Sequence, residues 1–327
     1  MNLLQKSLFH SLNRNLNIQL FLLLLLTGWA GWTIFTRMTI IPPDGTMLLF
    51  QYITKLWAWN SLVVRIAVLL IVLITTIGLI QHFQKDRFSE NRTYMPGVFL
   101  LALLNCGKFL YTLTPALITV FFIALIMIMY SPNMSAAKMN VRIFTFGLII
   151  AIATLLDISA FGIVLFLIML IAINNVTSFK DILIFLSGMA FPYIWAFSIA
   201  FFCNGDPIFT QSWRDLSIFV PAKSFLGLRI IDYVAMGWFI FATFILMIRD
   251  KKLLDNKLIV IRRAFNNVNL LLFSMLVFLW LGIVPLPMAL LYLLLPVSHY
   301  MSIAVSQKRS NPFVDLLIIS MCLLLWF

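Results

Sequence analysis

IFTFGLIIAIATLLDISAFGIVLFLIMLIAIN, residues 143–174, carries one charge, Asp157, in 32 positions. A helix rising 1.5 Å per residue needs about 20 residues to cross a hydrocarbon core of about 30 Å. The stretch is too long for one span and reads as two short ones, 143–156 and 159–174, with Asp157 at the tip between them. At the bilayer centre an Asp costs about 2.5–3.5 kcal/mol, and at a wet tip most of that cost disappears. On this reading the chain is helical and membrane-embedded.

The rest of the sequence extends the pattern. Hydrophobic residues make up 63 % of the 327 positions and charged residues 10 %, against about 25 % charge in a soluble domain. Apolar runs recur at roughly 16–36, 61–81, 95–107, 114–130, 143–156, 159–174, 182–203, 229–248, 266–283, 286–304 and 312–327. The expected fold class is all-α, a polytopic transmembrane helix bundle of about 11 spans, with a range of about 9–12. No polar segment leaves room for a soluble domain, so residues 1–327 are expected to form one membrane-embedded domain. The 95–107, 143–156 and 159–174 runs are the shortest. They call for a thinned bilayer, burial behind other helices or a water-filled cavity.

Orientation follows from the positive charges. With the N-terminus cytoplasmic and the C-terminus periplasmic, 16 of the 23 Lys and Arg fall in inside segments, as the positive-inside rule requires. The 249–263 loop, RDKKLLDNKLIVIRR, is the strongest marker. The net charge of +12 then reads as topology and contact with anionic lipid headgroups, and no nucleic acid is expected as a partner. Residues 1–17 set Leu4, Leu8, Leu12 and Leu16 beside Lys6, His10 and Arg14, the pattern of an interfacial amphipathic helix. The first long apolar run has no A-x-A cleavage signal and is expected to remain as the first span. Residues 37–60 and 204–228 read as outer loops with amphipathic surface helices. The three Cys and three His are scattered without metal spacing, so neither a metal site nor a cofactor is expected.

Four residues stand out as candidate site residues. Asp44 sits in a Pro-Pro-Asp-Gly segment of the first outer loop. It serves either the turn itself or, as a general base, an outward-facing cavity. Asp157 is either a solvated hairpin tip or part of that cavity. Lys108 and Arg65 fall at the same outer level and suit binding of a phosphate.

Two resemblances bear on function. FTFGLIIAIATLLDISAFGIVLFLIMLIAI and FKDILIFLSGMAFPYIWAF, within 144–197, resemble a segment of GT-C type membrane glycosyltransferases. In that segment a glycine-bearing helix and a short break precede an apolar helix, a basic loop and a span with a mid-helix proline, here Pro192. The resemblance implies a catalytic carboxylate in the first outer loop, for which Asp44 is the matching position, and a polyprenyl-phosphate-linked sugar as substrate. The chain departs from that pattern in having one Asp there rather than paired acids, and no large periplasmic domain. ENRTYMPGVFLL at 90–101, the 144–197 block, and RRAFNNVNLLLF with PLPMALLYLLLPVS within 262–298 are similar to an uncharacterised family of Bacteroidota inner-membrane proteins, which implies a role in the cell envelope. The expectation is a multi-pass protein of the bacterial inner membrane, engaged in glycoconjugate assembly. The alternatives are a non-enzymatic subunit or scaffold of an envelope export or motility complex with membrane-protein partners, and a lipid or small-molecule transporter.

Overall fold

The computed structural model describes residues 8–39, 61–86, 88–89, 92–111, 113–129, 136–156, 160, 163–164, 166, 168, 179–202, 230–254, 257–280, 286–306 and 312–326. The regular elements among them are all helices: α1 (Leu8–Arg14), α2 (Leu16–Thr36), α3 (Ser61–Lys85), α4 (Met95–Cys106), α5 (Pro115–Met129), α6 (Ala136–Leu156), α7 (Phe179–Phe202), α8 (Ile230–Leu254), α9 (Ile259–Trp280), α10 (Leu286–Ser306) and α11 (Pro312–Trp326). Three stretches, Leu16–Thr36, Ser61–Lys85 and Phe179–Ser198, are long and apolar enough to cross a membrane. The outer-loop segments 40–60 and 204–228 lie outside the described residues, as do Asp44 and Asp157.

Local chemistry sets the helix ends. Asn15 separates α1 from α2 in an extended conformation, and its Oδ1 accepts from the Asn17 and Ile18 amides at 3.1 and 3.4 Å, an N-cap. Pro96 opens α4 and Pro115 opens α5, where the missing N–H has no intrahelical partner to lose. Several helices outrun their apolar runs, α6, α8 and α9 the furthest. α6 begins at Ala136 and takes in Lys138, Asn140 and Arg142; α8 continues through Lys251 and Lys252 to Leu254; and α9 starts at Ile259. The segment 249–263 is thus mostly helical. Lys and Arg are good helix formers, and cations at a helix C-terminus oppose its dipole favourably.

Two helices form the centre. α4 is buried continuously from Met95 to Leu101, and α10 from Leu291 to Val305. α10 packs on α1, α4, α5, α8, α9 and α11, while α4 also packs on α2, α3 and α11. At 12 residues, α4 is about 18 Å long. Its burial inside the ring is one of the three accommodations a short apolar run requires. α2 and α7 lie at the rim, with Phe21, Leu24 and Trp32 of α2 and Phe179, Ile194 and Trp195 of α7 exposed.

Helices α2 to α6 alternate in direction between two ends, and α7 repeats the direction of α6. α2 and α4 run parallel, since Gln19 meets Tyr94, Leu26 meets Asn105, and Arg37 meets Tyr111. α9 and α10 run antiparallel, with Asn269 against Tyr300 and Leu276 sharing a crevice with Leu293. α6 and α7 are parallel and in close contact: Gly188 abuts Phe144, and Thr154 meets Tyr193 hydroxyl to hydroxyl at 2.7 Å. Leu156 and Phe179 therefore lie at opposite ends of that pair. Between them Ala160, Ile163, Val164 and Phe166 are buried.

Gly147 and Gly188 make the α6–α7 approach possible. A Cβ on Gly147 would collide with the Phe185 carbonyl, and one on Gly188 with the Phe144 carbonyl. Small residues at a crossing let backbones close up, and van der Waals contact then carries the association.

α1 is docked on α2, α10 and α11. Phe9 packs edge-on to Phe99 at 5.6 Å, Leu12 lies against the core, and Leu16, the next position of the leucine series, is exposed. The described part of the 1–17 segment thus packs on protein along one face.

Candidate functional site

The two ends differ in chemistry. The Lys108 end holds the start of α3 and the close of α2 and α4. Arg37 lies over the Tyr111 ring at 5.8 Å and donates to its hydroxyl at 3.1 Å. The Thr39 amide donates to Tyr111 O at 2.8 Å and the Leu113 amide to Thr39 O at 3.1 Å. These contacts tie the end of α2 to the α4–α5 connection. Lys108, at the centre of that connection, is exposed and adopts a left-handed backbone with φ 55°. Arg65, in the second turn of α3, is half-buried, and its Nε is shut off from water without an acceptor among the described residues. Leu156 closes α6 at this same end, one residue before Asp157. The fold thus brings Arg65 and Lys108 to one end.

The Gln19 end gathers buried polar side chains that the sequence reading passed over. His82 and Asp86, one turn apart on and just after α3, place Nδ1 3.1 Å from Oδ2. The alignment is poor for a hydrogen bond, so the contact is chiefly electrostatic. His299 of α10 packs edge-on to His82 with ring centroids 5.2 Å apart; Phe88 packs on both rings and Phe83 on that of His299. His299 Nδ1 stands 3.1 Å from Leu295 O, which assigns the proton to Nδ1 and leaves Nε2 as a buried acceptor without a donor. Around α10 from His299, Tyr300 donates to Asn269 Oδ1 at 2.8 Å and packs edge-on to Phe265.

Asp250 lies just past the apolar 229–248 run, near the end of α8. It is wholly buried, and among the described residues neither carboxylate oxygen has a hydrogen-bond partner. Burial raises its carboxyl well above the usual carboxylate range, and the charge of Arg249 opposes that rise. The Arg249 guanidinium is in turn lowered by burial and supported by Asp250. The crevice between α8, α9 and α10 is lined by apolar side chains and Thr243, whose hydroxyl is already spent on Phe239 O at 2.7 Å. Among the described residues no group of three or more metal-ligating side chains converges.

No protein-family model, curated protein or solved structure matches the chain. The functional reading therefore rests on the chemistry of the two ends.

The signals for the Gln19 end were present but weak in the sequence. The i, i+4 pair His82–Asp86 is visible in it, but His299 joins only through helix packing. Asp250 sits in an Arg-Asp-Lys-Lys run that reads as a solvated loop. Its burial comes from the packing of α8 against neighbouring helices.

Proposed function

We propose that the chain is a multi-pass protein of the bacterial inner membrane, of about eleven spans, with the Gln19 end cytoplasmic and the Lys108 end periplasmic. The segregation of charge supports this topology. Among the described residues Arg37, Arg65 and Lys108 are the basic ones at the Lys108 end, and the other Lys and Arg gather towards the Gln19 end, as the positive-inside rule asks. The parallel α6–α7 pair, with Leu156 and Phe179 at opposite ends, supports reading 159–174 as a return crossing with Asp157 at its periplasmic tip. In intact cells, Lys108→Cys should react with a membrane-impermeant maleimide, and Lys251→Cys only after permeabilisation. The reverse pattern would overturn the topology.

At the periplasmic end the protein handles a polyprenyl-phosphate-linked sugar in glycoconjugate assembly. The observation that carries this reading is Arg65, a guanidinium whose buried Nε lacks an acceptor at the end that also bears Lys108. Charge-assisted hydrogen bonds from an arginine suit a phosphate in a poorly hydrated setting. Asp44 would then serve as acid or base, with Asp157 lining the same cavity. Mass spectrometry of lipids carried by the natively purified protein tests it. Polyprenyl-phosphate species should accompany the wild type and fall about a hundredfold or more in the Arg65→Gln, Lys108→Gln double variant, since two charged contacts worth about 1.5–3 kcal/mol each are lost. Asp44→Asn should keep the lipid and lose turnover. Bulk phospholipid alone in the wild type would remove the proposal.

A second reading, a lipid or small-molecule transporter, is favoured by the buried polar stretch of α10. Ser298, His299 and Ser302 are fully buried on the helix around which the others pack, and intramembrane ionisable groups commonly mark a transport pathway.

A further inference from the structure

The junction of α8, α9 and α10 holds a carboxyl group for which the described residues provide no donor. Asp250 is 0 % exposed, and both its oxygens lack partners. Asp86 and Asp315, the other buried carboxylates among the described residues, retain slight exposure.

The groups that face Asp250 can be named helix by helix. On α8, Arg249 precedes it, and the exposed Lys251 and Lys252 follow. From α10, Tyr300 is near enough to feel a charge on Asp250, but its hydroxyl is committed to Asn269 Oδ1 of α9 at 2.8 Å. On α9, Arg262 and Arg263 are exposed. α11 also packs on α8 and carries Asp315 in its first turn. An ionised Asp250 would therefore sit beside a tyrosine whose proton points elsewhere, with one arginine as counter-charge.

Leaving a carboxylate in such a place costs several kcal/mol, and the group escapes by taking up a proton. Water is near, because the exposed, charged side chains of Lys251 and Lys252 follow Asp250 directly on its own helix. They put solvent within about one 5.4 Å turn. A sealed acid deep in the core would not exchange; one this close to the surface can, provided the helix ends part slightly.

We propose that Asp250 is an exchangeable proton-binding site of the α8–α9–α10 junction. It is loaded in the packed state and emptied when the junction opens and lets Arg249 or water reach the carboxylate. The ligand is a proton drawn from the aqueous phase at the Gln19 end, and the linked event is a loosening of α8 from α10. This rests on neither the lipid chemistry of the Lys108 end nor the assignment of sides.

The test uses the full-length protein in nanodiscs. Infrared difference spectra between about pH 5 and about pH 9 should show the carbonyl stretch of a protonated acid still present near neutrality. That band should shift in deuterium oxide, fade as the pH rises, and be missing in Asp250→Asn. Linkage adds a second readout. A carboxyl raised in the folded state binds its proton there while the unfolded chain has lost it. Its stabilising contribution is complete below the unfolded value and declines as the pH rises through the folded one. The wild-type melting temperature should thus fall from about pH 5 to about pH 8 more steeply than that of Asp250→Asn. Absence of the band would mean an ionised Asp250 and overturn the proposal. A band insensitive to both deuterium and pH would mean a sealed structural acid. Loss of the band on adding sodium or potassium at constant pH would mean a cation site. Either of these last two results also overturns it.

Discussion

Gly188→Leu is expected to unfold the α6–α7 pair, with a loss of about 3 kcal/mol or more and little protein surviving extraction in mild detergent. Leu carries a Cβ into the Phe144 carbonyl oxygen and backbone, where no side chain can rotate away. Relief requires the helices to separate along their length, giving up the contact around Gly147 and the Thr154–Tyr193 hydroxyl pair. Ordinary overpacking costs about 1–3 kcal/mol because side chains yield; here only backbone is available to yield. Gly147→Leu should behave alike, since its Cβ meets the Phe185 carbonyl and the Met189 amide. Gly237→Ala is the control. That glycine lies inside α8 with nothing within 4 Å of an added Cβ, so alanine should be neutral or stabilising by up to about 1 kcal/mol. Thermal melts followed by size-exclusion fluorescence separate these outcomes. A Gly188→Leu protein that melted with the wild type would refute the close crossing.

Much of the helical layout was legible because apolar runs and proline positions carry it directly. The runs at 95–107 and 114–130 became α4 and α5, each opened by a proline, and the run at 286–304 became α10. The ends of α6, α8 and α9 were not legible, because a helix does not stop where its hydrophobicity does. Lys138, Arg142, Lys251 and Lys252 extend helices whose apolar windows are shorter. At the Lys108 end, the charge pattern led to Arg65 and Lys108, and both fall there. The Gln19 end stayed hidden for a different reason. Burial of His82, His299 and Asp250 is set by which helices meet, and no local pattern separates a lysine-flanked Asp in water from one turned into a junction. Apolar runs also do not report that Gly147 and Gly188 face each other across two parallel helices.

Gln19→Leu should cost about 3 kcal/mol and release α1 from the bundle. Gln19 is fully buried in the first turn of α2, where its amide serves four partners. Nε2 donates to Asn13 O at 2.7 Å and Leu12 O at 3.3 Å. Oε1 accepts from the Tyr94 amide at 2.7 Å and lies 3.1 Å from Thr93 Oγ1, which also reaches Asn13 Oδ1 at 2.8 Å. Thr93 O in turn receives Gln84 Nε2 at 3.2 Å. One side chain thus satisfies the break between α1 and α2 and the start of α4 together. Leucine preserves volume but leaves the Tyr94 N–H and the Asn13 carbonyl buried and unpaired, at about 1–3 kcal/mol each. Because Thr93 belongs to the same network, Thr93→Val in the Gln19→Leu background should cost less than it does alone, and a double-mutant cycle measures that coupling. A cysteine at Leu12, shielded by the core in the wild type, should react faster with maleimide in Gln19→Leu. Unchanged labelling with an unchanged melt would mean that α1 is held by Phe9 and its apolar neighbours rather than by the amide. The network matters beyond α1, because the same few residues fix where α4 begins. α4 is the short buried helix against which α2, α3, α10 and α11 are all positioned, so loosening its first turn should soften the packing around His299 as well.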